Sequence, residues 1–302
     1  MSSVIAYASS GGLGNRVRVV LSAKRLAIAE GRQFSYVWPT SPSFQARLDD
    51  LWSFDEPTVP RLLSLALALR YPYRDPRLRW LDESARHEPV WQFRTGEQIC
   101  RVEDCPSWSG LFRSLSPVPS VRERVERLHR ERLAGHRYVA VMIRAHPSRH
   151  SKTAAASPVD WFIDRMLAIR RVDPEIRFFL SCDVPAVQRH VEASVDGCYA
   201  LDDKGGYNTI EGLRSAVADL YLAAGSWHIL AAYYSSFATL ARRLTDPRIP
   251  FETAVGGSAP LDLSRVGAVA DPLRPYDRDQ DPSAGLVGAR GYDASGGFFT
   301  RA

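Results

Sequence analysis

Two parts of the chain alternate short apolar runs with stretches in which apolar residues recur at helical period. The first opens with Val4–Ala8, which ends in Ser9-Ser10-Gly11-Gly12-Leu13-Gly14-Asn15. Val17, Val20, Leu21, Ala27 and Ile28 then repeat at helical spacing until Gly31 offers a helix C-terminus. Phe34–Trp38 reads as a second strand. Strand, glycine-rich turn, helix and strand together are the opening of a parallel α/β sheet. Residues 39–119 are less regular: a leucine-rich helix is predicted near Arg61–Leu69, followed by short segments rich in Pro, Trp and Arg that impose no order of elements.

The second regular part begins near Ser120 with a charged helix to about Ala134, a strand Tyr138–Ile143, a helix Asp160–Arg171 and a strand Arg177–Cys182. It continues with a helix Pro185–Ala193, a short strand Cys198–Leu201, a helix Thr209–Ala224, a strand Trp227–Ala232 and a helix near Ser236–Leu244. Strict alternation predicts a second doubly wound α/β domain, with ligands outside the carboxyl ends of its strands. The expected layout is an N-terminal domain over 1–120, a C-terminal domain over 121–247, and a Gly/Pro-rich, loosely held tail over 248–302.

At 302 residues the chain has room for about two domains with separate cores, and 45% hydrophobic content excludes wholesale disorder. The net charge of +5 is a small excess of 39 basic over 34 acidic residues. Its densest basic run, Arg122–Arg132, interleaves Arg with Glu as an ion-paired helix face, which argues against a nucleic-acid stripe. Only Lys24, Lys152 and Lys204 are lysines, so the basic charge is mostly arginine, whose planar fork suits phosphate. No run approaches the roughly 20 apolar residues of a membrane span, and the N-terminus lacks a basic leader, so a cytoplasmic protein is expected. Cys100, Cys105, Cys182 and Cys198 show neither C-x-x-C nor zinc spacing, which predicts reduced thiols and no structural metal.

Chemistry concentrates at the predicted strand ends. The turn Gly11–Asn15 lets backbone approach a ligand and presents free amides at a helix N-terminus. It falls one residue short of the dinucleotide fingerprint, and Val37-Trp38-Pro39-Thr40 holds no acid for a ribose, leaving an NAD(P)-binding oxidoreductase as the alternative class. Arg144 follows the strand Tyr138–Ile143 in the basic segment Arg144-Ala145-His146-Pro147-Ser148-Arg149-His150. Asp183 ends the strand Phe178–Cys182, where it suits either a ribose contact or a helix N-cap. Asp202-Asp203, before Lys204-Gly205-Gly206, reads as a solvated turn rather than a metal-binding pair. Asp219 sits on the small, polar face of its helix with Gly212, Ser215, Ala216 and Ala223, and a carboxylate there requires a partner. Ser235-Ser236-Phe237 begins the last helix, where two hydroxyls and free amides suit phosphate.

These segments resemble the fucosyltransferase-like glycosyltransferases, which include the α1,2-, α1,6- and protein O-fucosyltransferases. GGLGNRVRVVLSAKRLA is similar to that family's Gly-x-Gly-Asn turn and helix, and VAVMIRAH to its strand ending in His-x-Arg-Arg. FFLSCD is similar to its strand ending in aspartate, and EGLRSAVADLYLAAGSWHILAAYYSSFATLARRL to its closing helix, strand and Ser-Ser helix. The resemblance implies a GT-B-like fold, two Rossmann-type doubly wound domains facing a central cleft. It also implies an inverting, metal-independent transferase that uses a GDP-sugar, usually GDP-fucose, and an unknown acceptor, with no cofactor.

By the same resemblance Arg144 holds the diphosphate, Asp183 contacts guanosine or ribose, and Asp219, Ser235, Ser236 and Phe237 belong to the donor site. Gly12, Gly14 and Asn15 lie toward the sugar and acceptor. Met142 stands where the family's histidine is usual and Ala145 where its second arginine is usual, so Arg149 is the candidate second guanidinium. The family's acidic residue after that motif is absent, which leaves His146 or His150 to take the acceptor's proton. A third class follows if those departures mark lost activity: a nucleotide-sugar-binding protein without catalysis.

Overall fold

The computed structural model describes residues 2–9, 11–101, 103–146, 151–202, 204–256 and 271–276. They fall into two units, one formed by the chain up to Ser116 and the other by the chain from Pro117.

In the first unit β1 (Ser3–Ala8) passes through the glycine turn into α1 (Leu13–Ala29) and β2 (Gln33–Val37). After them come β3 (Trp52–Ser53), α2 (Arg61–Leu67), α3 (Glu83–Arg86), β4 (Val90–Thr95) and α4 (Ser109–Arg113), with β5 (Ser116–Pro117) at the junction. The main sheet is parallel, in the order β2-β1-β4, with Ser3 opposite both Gln33 and Val90. β4 is the element that the irregular 39–119 stretch conceals. Its Trp91, Gln92 and Phe93 are all buried, and the amide that interrupts the apolar run is satisfied inside: Gln92 Oε1 accepts from Ser64 Oγ (3.0 Å) and Nε2 donates to the Tyr71 carbonyl (2.8 Å). Trp52, Trp91 and Trp108 are fully buried, so they fill the core.

Cys100 and Cys105 form a disulfide, which corrects the expectation of four reduced thiols. A separation of five residues brings their Cα atoms to 5.0 Å, within bridging reach, although no sequence signature announces it. Cys182 and Cys198 remain free.

In the second unit α5 (Pro119–Leu128) widens into a π-helical turn at His129–Leu133. It is followed by β6 (Tyr138–Ile143), α6 (Ser151–Ala156), α7 (Val159–Val172), β7 (Arg177–Cys182), α8 (Pro185–Ser194) and β8 (Cys198–Tyr199), then by α9 (Ile210–Ala224), β9 (His228–Ala231), α10 (Ser236–Leu244) and β10 (Phe251–Glu252). β6 and β7 are buried along nearly their whole length, as interior parallel strands must be, and for that reason they read as largely apolar runs, broken in β7 by the buried Ser181. Val139, Val141, Phe178 and Leu180 pack against Phe162, Met166 and Ile169 of α7. The sheet is parallel throughout, in the order β10-β9-β6-β7-β8. The chain lays β7 and β8 to one side of β6, then returns through α9 to lay β9 and β10 on the other. Winding therefore reverses between β6 and β9, the switch point at which such sheets bind ligands.

Of the chain after Pro247, expected to be a loose tail, residues 257–270 and 277–302 lie outside the described residues, while Phe251–Glu252 form the edge strand β10. Glu252 is buried in it, with Oε2 2.9 Å from His228 Nε2 and Oε1 accepting from Arg165 Nε (2.7 Å). Tyr276 is buried as well. Among the described residues no helix is long and apolar enough to cross a membrane.

Burial pushes the Glu252 carboxyl up, but hydrogen bonds from His228 and Arg165 outweigh it and hold the group below its ordinary range. A carboxyl depressed in the folded state adds stability that is full above its unfolded pKa and is lost as pH falls through the folded one. Urea unfolding of Glu252→Ala near neutral pH is expected to lose about 3–5 kcal/mol, because the buried ion pair with Arg165 and the bond to His228 are both broken. Glu252→Gln is expected to flatten the loss of stability seen below about pH 4.

Candidate functional site

The site of the second unit is built at the switch point. β6 ends at Ile143, so Arg144 emerges at the carboxyl edge, and the Ala232 amide donates to the Met142 carbonyl (3.0 Å), holding the exit of β9 beside it. Tyr234 then turns the chain in the left-handed region at φ 61°, a conformation disfavoured for a bulky residue. Ser235 caps α10, its Oγ accepting from the Ala238 amide (3.3 Å), whereas the half-buried Ser236 hydroxyl makes no hydrogen bond among the described residues. The guanidinium carbon of Arg144 lies 4.1 Å from the centre of the buried Phe237 ring. This contact fixes a full positive charge beside the first turn of a helix whose dipole and open amides already favour an anion.

Behind Arg144 stands a row of paired polar groups. Asp183 does not cap α8, which begins after Val184 without a side-chain cap; its Oδ1 accepts from the Ala145 amide (2.8 Å) and pins the loop that carries Arg144. Asp219 is buried under β7, with Oδ2 accepting from Ser181 Oγ (2.7 Å) and lying 4.0 Å from Lys204 Nζ. Burial raises the Asp219 pKa, against the opposing charges of Lys204 and Arg144 and the Ser181 bond.

Lys204 is the residue that sequence reasoning missed. Its turn is not merely solvated: Nζ donates to Gln188 Oε1 (2.9 Å) and reaches the carbonyls of Leu180 (3.4 Å) and Cys182 (3.5 Å). The signal lay in the two glycines that follow. Gly205 has φ +64°, and a Cβ there would lie 2.8 Å from the Gly212 amide nitrogen; a Cβ on Gly212 would lie 2.0 Å from the Gly206 carbonyl oxygen. The turn is therefore pressed backbone to backbone onto α9, which Thr209 caps by accepting from the Gly212 amide (3.1 Å). Asp202 is exposed, and Asp203 lies outside the described residues. The His146 ring stands 5.7 Å from that of Tyr207, while Arg149 and His150 also lie outside the described residues.

The glycine turn belongs to the first unit. Gly11 needs its freedom twice over, through φ +82° and because a Cβ would meet Asn15 Nδ2 at 2.3 Å; at Gly12 the same atom would meet open space. Gly14 is buried in the first turn of α1. Asn15 Oδ1 accepts from Arg18 (2.9 Å), which also donates to the Gly96 carbonyl (2.5 Å), so the turn is tied to the end of β4. The end of β2 carries no carboxylate, so the dinucleotide alternative lacks its ribose acceptor.

Lys204→Met is expected to cost about 1–3 kcal/mol of stability by removing the donor to Gln188 Oε1 and the cation that faces buried Asp219. Adding Asp219→Asn to Lys204→Met is expected to cost less than the separate losses combined, a coupling that urea melts of the two single variants and the double variant measure. Gly11→Ala is expected to lower the melting temperature clearly more than Gly12→Ala.

No protein-family model matches the sequence, and no curated protein matches it. Solved structures do. The fucosyltransferase NodZ from Bradyrhizobium is 19% identical with a TM-score of 0.57, the match covering 81% of this chain and 93% of that one. NodZ α-1,6-fucosyltransferase soaked with GDP-fucose matches at 18% identity and a TM-score of 0.56, over 81% and 92%. POFUT1 in complex with GDP-fucose matches at 11% identity and a TM-score of 0.55, over 83% and 98%. At these identities the likeness is one of fold: the chain has the α/β, GT-B-like fold of these fucosyltransferases.

Proposed function

We propose that the chain is a glycosyltransferase that moves fucose or a related sugar from a GDP-sugar to an acceptor hydroxyl. The observation that carries this reading is the Arg144 guanidinium seated on Phe237 beside the N-terminus of α10, at the switch point of the second sheet. Two positive features, one a side chain and one a helix end, converge where a diphosphate binds in such sheets. The fold shared with structures that hold GDP-fucose supports the same donor.

In the proposed reaction the acceptor oxygen attacks the anomeric carbon from the face opposite the diphosphate, inverting its configuration. The bond from that carbon to the β-phosphate oxygen breaks, its electron pair leaves with GDP, and the acceptor's proton passes to His146. Arg144 and the amides of Ser236 and Phe237 offset the charge growing on the leaving group, which is the task a divalent cation performs in other transferases, so transfer is proposed to run without a metal. Asp183 acts by holding the Arg144 loop. Asp219 and Lys204 act one layer deeper, keeping the ends of β7 and α9 in register.

Calorimetric titration with GDP, GDP-fucose, UDP and NAD, in EDTA, tests the reading. Guanine nucleotides are expected to bind selectively, and Arg144→Ala to weaken them by about 1.5–3 kcal/mol, the size of a charge-assisted contact. Binding of NAD alone, or guanine binding indifferent to Arg144, overturns it. Normal GDP-fucose binding with no turnover toward any acceptor leaves a binding protein instead of an enzyme.

A further inference from the structure

We propose that the hollow at the carboxyl ends of β1 and β2 takes an oxyanion, carried by the acceptor as a carboxylate, sulfate or phosphate ester. The inference rests on the reading above, which gives the donor to the second unit and leaves the first to the acceptor. The hollow has a volume of about 380 Å³ and is lined by Arg16, Arg61 and Arg94 together with Ser9, Ser41 and Ser43; no carboxylate lines it. Elsewhere in this unit arginines find acids, as Arg74 does with Glu88 and Arg47 with Asp49. Among the described residues Arg61 and Arg94 have no such partner.

Rings and carbonyls hold two of the three guanidinium groups in place. Arg94 lies over the rings of Tyr7 (5.1 Å) and Tyr73 (5.9 Å), which orient its fork. Arg16 is buried on the Phe44 ring, 3.9 Å away, and donates to the carbonyls of Gly11 (3.3 Å) and Pro39 (2.5 Å). Those bonds neutralise no charge, and its Nη2 takes part in neither. Burial lowers the Arg16 pKa to about 10, so the guanidinium stays charged near neutrality with no counter-ion. Three cations and several hydroxyl donors lining one concavity match the multidentate acceptor character of an oxyanion.

The test compares the full-length chain's binding of paired probes by saturation-transfer NMR: glucuronic acid against glucose, galactose 6-sulfate against galactose, and glucose 6-phosphate against glucose. Each pair is measured with and without saturating GDP. Charged probes are expected to bind about tenfold tighter than their neutral partners in both conditions. The preference is expected to vanish in Arg61→Gln/Arg94→Gln, with GDP affinity and melting temperature unchanged, since both side chains are exposed. Equal binding of the pairs, or a preference that survives the double variant, overturns the proposal. So does a charged probe displaced by GDP or lost in Arg144→Ala, because its anion then sits at the phosphate site of the second unit. Failure to bind GDP, with the Arg61/Arg94-dependent preference intact, sinks the donor reading and leaves the oxyanion site standing.

Discussion

Everything distinctive about the second unit depends on one constraint: a parallel sheet whose winding reverses must leave a gap at its carboxyl edge, because the connections on either side run in opposite directions. Here the gap falls between β6 and β9. Arg144 leaves β6 on one side of it and α10 begins on the other. The stacking of Arg144 on Phe237 holds a flexible guanidinium over an aromatic ring beside open helix amides. Without the ring, Arg144 would be one more solvated arginine in an arginine-rich chain.

The second sheet is held by charges that face inward. Asp183 spends a carboxylate oxygen on the amide of Ala145, and Lys204 threads toward the carbonyl ends of β7 while approaching buried Asp219. At the amino end of β9, Glu252 locks β10 through His228 and Arg165. Buried ionic groups of this kind add little stability relative to apolar packing, but they penalise any arrangement that leaves one of them without its partner. They therefore specify position.

Much of this was legible in the sequence, for a definite reason. Interior strands of a parallel sheet are apolar on both faces, so Tyr138–Ile143 stands out as an uninterrupted run and Phe178–Leu180 as the apolar centre of another, and the residue following each strand lands at the carboxyl edge of the sheet. Ser235 and Thr209 could be read as helix starts because hydroxyls cap helices. What stayed hidden was satisfied by distant partners. β4 contains a buried glutamine whose hydrogen bonds come from residues about 20 to 30 positions away, and Lys204 looks solvated until the Gly205–Gly212 contact presses its turn onto α9. The Cys100–Cys105 bridge and the anchoring of Glu252 are likewise tertiary facts that local composition does not encode. In the glycine turn the steric demand falls on Gly11 rather than on Gly12.

The central claim is that a nucleoside diphosphate sits between Arg144 and the first turn of α10. Amide hydrogen exchange with and without GDP measures this at the residues concerned. The predicted result is slowed exchange at Ser236–Ala238 and around Arg144 and Ala145, with the Gly11–Asn15 turn unchanged. Protection confined to the Gly11–Asn15 turn, or none in the second unit, would contradict it.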